Sequence, residues 1–274
     1  MQTGTDLIRD IDTCRVPPGG CGVWWLGQHS FIVKLGHTVV YIDPFLSPLH
    51  SRQVAPLLTP GQVAHADLIL GSHDHMDHID RPVWPLLAAA SPQALFVVPE
   101  LLRRNVVADL KLPDMRVAGI DLGLTVRVRD VTVTAIPAAH ELLDRDPATG
   151  LHPYLGFIIE GNGFRLYHAG DCCLYEGQHA WLRSRPFDLF ILPINGRDAR
   201  RLASGCIGNM TYQEAADLAG DLHPAVVIPS HYEMFSENAQ EVGAFVDYMR
   251  VKYPQQRVVV PAHGERVMLG ACRT

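Results

Sequence analysis

Histidine and aspartate crowd one short stretch of the chain. Residues Ser72 to Asp80 read Ser-His-Asp-His-Met-Asp-His-Ile-Asp, which places His73, His75, Asp77 and His78 in an H-x-H-x-D-H pattern. Imidazole and carboxylate together suit zinc, iron, manganese or nickel, and the absence of cysteine nearby argues against a structural cysteine-rich zinc site. Ligands this dense can hardly all point at one ion, so the spacing suggests two metals that divide them. The competing reading is a polar loop that happens to be rich in histidine. The apolar run before the cluster, which reads as a buried strand, favours the metal.

Two metals require further ligands from later in the chain. Three residues stand just beyond the C-terminal ends of expected strands: His140, Asp171 and His231. Asp171 can bridge two cations through its two oxygens, which no histidine can do. His168 ends a strand and reads as a core histidine or a support behind the ligands. His263 is either a pocket wall or part of a surface loop, and His29 is a candidate for the site interior. Asp74, between two ligands, reads as a helix cap or a support. His37, His50, His65, His179 and His223 are most simply solvated.

These residues must be held by a scaffold, and short β-type runs dominate. Strands are expected over 22–26, 31–35, 38–42, 67–70, 94–98, 124–128, 131–136, 154–160, 165–168, 189–192, 225–228 and 257–260. Hairpin turns are expected at Gly36-His37, at Arg129-Asp130 and at Asn162-Gly163, where Asn-Gly is a strong tight-turn signal. Helices are expected over 82–90 and 99–109. Thr211 to Glu214 forms a capping box that opens a helix running to about 222. A last helix over 239–252 carries Val242, Phe245, Val246 and Met249 as an apolar stripe for core packing. Strand clusters followed by helices, twice over, suggest an α+β protein: an αββα sandwich of two sheets packed face to face with helices outside.

Bulk properties narrow the function classes. The chain has 274 residues, 47% of them hydrophobic, enough for a large core. No linker, repeat or low-complexity segment appears, so a single domain over 1–274 is expected. A formal net charge of −6 argues against a nucleic-acid binder, which needs a basic face. No stretch reaches the length of a membrane span, and the first residues lack the apolar core of a signal peptide. The six cysteines show no C-x-x-C pairing and read as reduced thiols of a cytoplasmic protein.

Taken together, the residues resemble the metallo-β-lactamase superfamily, and more narrowly its L-ascorbate-6-phosphate lactonase-like branch. The resemblance spans Trp24 to Glu265. It rests on Trp25-Leu26-Gly27-Gln28, Tyr41-Ile42-Asp43-Pro44, Ser72 to Asp80, His168-Ala169-Gly170-Asp171, Leu192 to Arg197 and Gly208-Asn209-Met210-Thr211. It implies that His73, His75 and His140 hold one metal, that Asp77, His78 and His231 hold a second, and that Asp171 lies between them. The implied ions are two divalent metals, manganese or zinc. Two departures stand out: Cys172 follows the bridging aspartate where Thr or Ser is common, and His29 replaces a small residue.

The implied chemistry is hydrolysis by a hydroxide shared between two cations. Coordination lowers the pKa of water from about 15.7 toward about 7. Asp77 and His231 are the catalytic candidates, Asp77 by orienting the nucleophile and His231 by assisting protonation. No G-x-S-x-G elbow is present, so a serine hydrolase is not expected. Asn195, Arg197, Asn209 and His29 are the substrate-binding candidates, with Arg197 and Asn195 placed to grip a phosphate. Arg200 and Arg201 are as readily solvated. The expected activity is a lactonase on a sugar lactone, phosphorylated or not, such as L-ascorbate 6-phosphate. The alternative is a phosphodiesterase on a small or cyclic diester. A di-iron redox protein would carry Glu in place of His75, and a binding module would show an eroded ligand set. The expected partner is a small molecule, with no nucleic acid and no membrane, in a possible homo-oligomer.

Overall fold

A computed structural model describes residues 1–271. In chain order the strands are β1 (Gly20–Gly27), β2 (Ser30–Leu35), β3 (Thr38–Ile42), β4 (Leu68–Leu70), β5 (Leu95–Pro99), β6 (Val117–Ile120), β7 (Thr125–Val128), β8 (Val131–Pro137), β9 (Leu155–Gly161), β10 (Phe164–His168), β11 (Leu189–Pro193), β12 (Val226–Ser230) and β13 (Arg266–Gly270). They form a seven-stranded sheet in the order β13-β1-β2-β3-β4-β5-β6 and a six-stranded sheet in the order β12-β11-β10-β9-β8-β7. Each sheet is antiparallel at its hairpin end and parallel at the other. The helices are α1 (Gly4–Thr13), α2 (Trp84–Ala90), α3 (Glu100–Leu110), α4 (Gln178–Arg183), α5 (Ala199–Ala203), α6 (Tyr212–Leu222) and α7 (Val242–Lys252). The expected αββα sandwich is what forms.

Alternation along the strands builds two apolar layers. On β1, Val23 and Trp25 enter the layer between the sheets, while Trp24 and Leu26 enter the layer beneath α1, α2 and α3. Both faces of this strand are therefore covered, and all eight of its residues are buried. Phe31 and Val33 of β2 face Phe157 and Ile159 of β9 across the inner layer, whereas Ile32 joins Trp24 outside. Phe245 and Met249 of α7 are buried as the apolar stripe requires.

Turn chemistry fixes the registers. Asn162 (φ 53°) and Gly163 (φ 75°) both adopt left-handed backbone, the geometry a two-residue hairpin loop needs. The capping box of α6 forms in full: Thr211 Oγ1 accepts from Glu214 N at 3.3 Å, and Glu214 Oε2 accepts from Thr211 N at 2.9 Å.

Two expectations need correction. Residues 257–260 make no strand, only a single bridge from Val258 to Val227. The closing strand is β13, which pairs antiparallel with β1. It is an edge strand with one fully buried residue, Leu269, so burial gave its sequence no alternation to read. The short edge strand β6 and the helices α1, α4 and α5 were also not anticipated. Among the described residues all cysteines are free thiols; Cys272 lies outside them. No helix among the described residues is long and apolar enough to cross a membrane.

Replacing Thr211 with Ala removes one half of the capping box. A loss of about 1 kcal/mol is expected, read as a lower urea midpoint at unchanged slope.

Candidate metal centre

Four strands deliver the donor residues to one edge of the sandwich. In the second sheet β8, β10, β11 and β12 all run in the same direction, so their C-terminal ends lie together. His140 follows β8, Asp171 follows β10 and His231 is the first residue after β12. The H-x-H-x-D-H stretch leaves β4 of the first sheet, and Ser72 O accepts from Leu155 N at 3.1 Å to tie the two edges together.

The donors sort into two groups. His73, His75, His140 and Asp171 each offer one ligand atom, all within 4.8 Å of one another; Asp77, His78 and His231 do the same. Asp171 faces both groups. Its Oδ1 lies 3.3 Å from His78 Nε2 and 3.2 Å from His231 Nε2, while its Oδ2 lies 3.8 Å from His140 Nε2. His78 Nε2 and Asp171 Oδ1 are buried and have no hydrogen-bond partner, a costly arrangement that a cation would relieve. The donor set is imidazole and carboxylate only, which fits divalent zinc or manganese.

Electrostatics point the same way. Burial pushes His73 well below the usual imidazole range, lowers His75, and takes His140 down to about 4. These rings are therefore neutral at pH 7 with lone pairs free for coordination. His78 behaves oppositely. Burial disfavours its charge, but Asp171, Asp77 and Asp43 outweigh that and raise it well above the ordinary value. Against the same cost of burial, His231 and His78 hold the Asp171 carboxyl well below its usual range. The carboxylates around His78 thus favour positive charge at that end of the cluster.

Two supporting residues went unassigned in the sequence. Asp43, buried just past β3, accepts from Ser72 N and Ser72 Oγ, each at 2.7 Å, and its Oδ2 lies 2.7 Å from His78 Nδ1. It thereby turns His78 Nε2 toward Asp171, the role a carboxylate plays behind a metal-bound imidazole. The signal was available: a carboxylate immediately after an apolar strand and before proline. Gln28 donates from Nε2 to Asp77 Oδ2 at 2.8 Å and sits 3.2 Å from His231 Nε2. Its carbonyl accepts from His231 N at 2.9 Å. Gln28 (φ 52°), Asp43 (φ 45°) and His231 (φ 60°) all hold left-handed backbone. Strain in three non-glycine residues at one site marks a place where position outranks stability.

The structure places the substrate-binding candidates elsewhere. Arg197 does not line the cleft. Its guanidinium makes a two-pronged bridge to Glu214, Nη1 to Oε2 at 2.6 Å and Nη2 to Oε1 at 2.8 Å, and donates to Asn209 O. Asn195 and Asn209 are fully buried: Asn209 Nδ2 donates to Asn195 Oδ1, and Asn195 Nδ2 donates to Asn238 Oδ1. They pin the loop after β11 and hold Asn238, which does face the cleft. His29 is buried behind the cluster, 6.0 Å from the rings of His78 and His231, with Nδ1 bonded to Ser230 Oγ at 2.7 Å. His168 lies beneath it, 3.9 Å ring to ring. His263 stacks on Trp25 at 4.2 Å. Asp74 caps nothing; it pairs with Arg81 on the surface.

Two outcomes are expected from this geometry. Asp43→Asn should weaken divalent-metal binding about 10–100-fold, measured by titration against a chromogenic chelator. Glu214 gives a pH test. Its bond to Arg197 holds the carboxyl below its ordinary value. A depressed folded pKa adds stability that is present above the ordinary carboxyl pKa, about 4.3, and is lost as pH falls through the folded value. The stability gap between wild type and Glu214→Gln should therefore narrow below about pH 4 in urea titrations; a gap constant from pH 7 to 3 would refute it.

Known proteins resemble this chain in sequence and in fold. The sequence matches the beta-lactamase superfamily domain over residues 38–232. A UPF0173 metal-dependent hydrolase of Polaromonas sp. is 31% identical, across 89% of this chain and 92% of that protein. Among solved structures, the metallo hydrolase Igni18 of Ignicoccus hospitalis superposes with a TM-score of 0.71 at 21% identity, covering 91% of this chain and 98% of the other. CmlA, a diiron beta-hydroxylase of Streptomyces venezuelae, superposes at 0.66 with 15% identity, covering 94% of this chain and 55% of CmlA. At such identities these two structures share the fold, and one fold carries more than one chemistry. The chain belongs to the beta-lactamase superfamily, and within it to the UPF0173 metal-dependent hydrolases.

Proposed function

We propose that the protein hydrolyses a carboxylic ester, best a lactone, with two divalent ions, manganese or zinc, held by His73, His75 and His140 on one side and Asp77, His78 and His231 on the other, and Asp171 shared. The observation that carries this reading is Asp171, whose two oxygens face the two donor groups at the floor of a cleft of about 580 Å³. Divalent ions bound there supply activated water at neutral pH and polarise the carbonyl.

The hydroxyl and thiol that line the cleft are not activated. Ser204 and Cys206 line the cleft wall. Ser204 Oγ donates to Arg201 O at 2.8 Å, not to a base, and burial raises the Cys206 thiol above its ordinary pKa. Neither has the histidine partner that nucleophilic catalysis needs. Water is the remaining attacker. Asp77 suits the task of orienting it: burial works against its charge, but His78 and His231 keep the carboxylate ionised, and Gln28 fixes Oδ2 in one direction. His231, held by its backbone to Gln28, would serve as a metal donor through Nε2, so the proton for the leaving alkoxide would come from the attacking water.

The test is a panel of lactones, linear esters and phosphodiesters, each with manganese and with zinc. Lactone turnover should fall at least about a hundredfold on chelation and return with added metal. Asp171→Asn should remove turnover while the chain stays folded by circular dichroism. Turnover that survives chelation, or turnover of phosphodiesters alone, would sink the proposal.

A further inference from the structure

A phosphate or carboxylate on a substrate, away from the reacting bond, needs cations or several N–H groups to replace its water. The cleft offers none of the former. Among the described residues, no lysine or arginine lines it. One wall is the segment 204–207 after α5, and the other carries Phe235, Glu237 and Asn238. The one charged side chain in those walls, outside the donor cluster, is an acid, Glu237.

The nearby arginines hold other partners or stand outside the cleft lining. Arg197 is spent on Glu214. Arg201 donates to Asp198 Oδ2, Asn195 O and Asn238 Oδ1. Arg52 lies over the Phe45 ring at 4.4 Å and donates through Nε and Nη1 to Val54 O, Phe45 O and Ser47 O; its Nη2 is buried without a partner and does not line the cleft. Arg200 is exposed on α5 and does not line the cleft. The loops around the donors also present apolar side chains. Ile207 and Phe235 stand in the walls. Met76, between two donors, is 51% exposed, and Leu142, bridged to His140, is 67% exposed. Leu174, three residues past Asp171, is exposed as well.

We infer that the substrate is uncharged and partly apolar beyond its reacting group, and that Glu237 is the residue that excludes anionic tails. This rests on the metal-dependent reading above only for where the reacting bond sits. It holds equally for an ester or a diester, and it departs from the phosphorylated sugar lactone expected from the sequence.

The test uses binding, so it stands apart from any turnover. Hexanohydroxamic acid and adipic monohydroxamic acid present the same metal-chelating head; the second adds a carboxylate at the tail. Calorimetry on the metal-loaded protein should show the neutral compound binding at least about tenfold tighter. Glu237→Lys should bring the ratio to one or invert it, and Glu237→Gln should fall between. Equal or tighter binding of the carboxylated compound by wild type would overturn the inference. So would a preference for the neutral tail that survives unchanged in both variants. Failure of every lactone in the turnover panel would instead count against the proposed reaction and leave the binding ratio to be judged by itself.

Discussion

Burying Asp171 is the constraint on which the site depends. Its side chain is 6% exposed, and an ionised carboxylate in such surroundings costs several kcal/mol unless positive charge meets it. Five histidines and the ions they can hold meet that cost only if separate chain segments converge within a few ångströms. The sandwich makes this possible because β8, β10 and β12 end on one edge, opposite the loop that leaves β4. Moving any of these strands by one residue would turn a donor away from the centre. The fold is therefore read most economically as a frame for one shared carboxylate.

The same constraint explains where strain collects. Gln28, Asp43 and His231 each hold left-handed backbone, at a cost of order 1–3 kcal/mol apiece. None stands alone. Trp25 Nε1 and His231 N both donate to Gln28 O, and Asp43 is gripped by Ser72 and His78. Dense packing around them, with Trp25 against Tyr232 and His263, leaves no relaxed alternative. Preorganisation of this kind keeps the donors in place rather than asking a cation to assemble them.

How much of this was legible follows from the kind of signal each part leaves. Donors advertise themselves by type: imidazoles at close spacing, and a carboxylate or histidine just past a strand. The structure gathers all seven into the two groups the resemblance implied. Central strands are equally plain because burial on both faces forces continuous apolar runs. Edge strands such as β6 and β13 are not, since half of each faces water. Supporting residues are hidden for another reason. Asp43 and Gln28 act through neighbours 29 to 203 positions away, and nothing in their local sequence states that partner.

Arg197 shows the same limit from the other side. An arginine in a loop after a strand at the donor edge looks like an anion grip. Its partner, Glu214, stands 17 positions on and already serves as the far half of a helix cap. A guanidinium fork satisfied in this way cannot also hold a phosphate without leaving a carboxylate unpaired, so the sequence counted a charge that the fold had spent. Its role is to fasten the loop after β11 to α6. Through Asn195, Asn238 and Arg201 the same loop is tied to the opposite wall of the cleft. The donors thus sit on strand ends, which the sheets hold rigid, and the cleft walls on two loops that a small polar network binds together. Substitutions in those walls can change what enters the cleft without disturbing the carboxylate on which the donors converge.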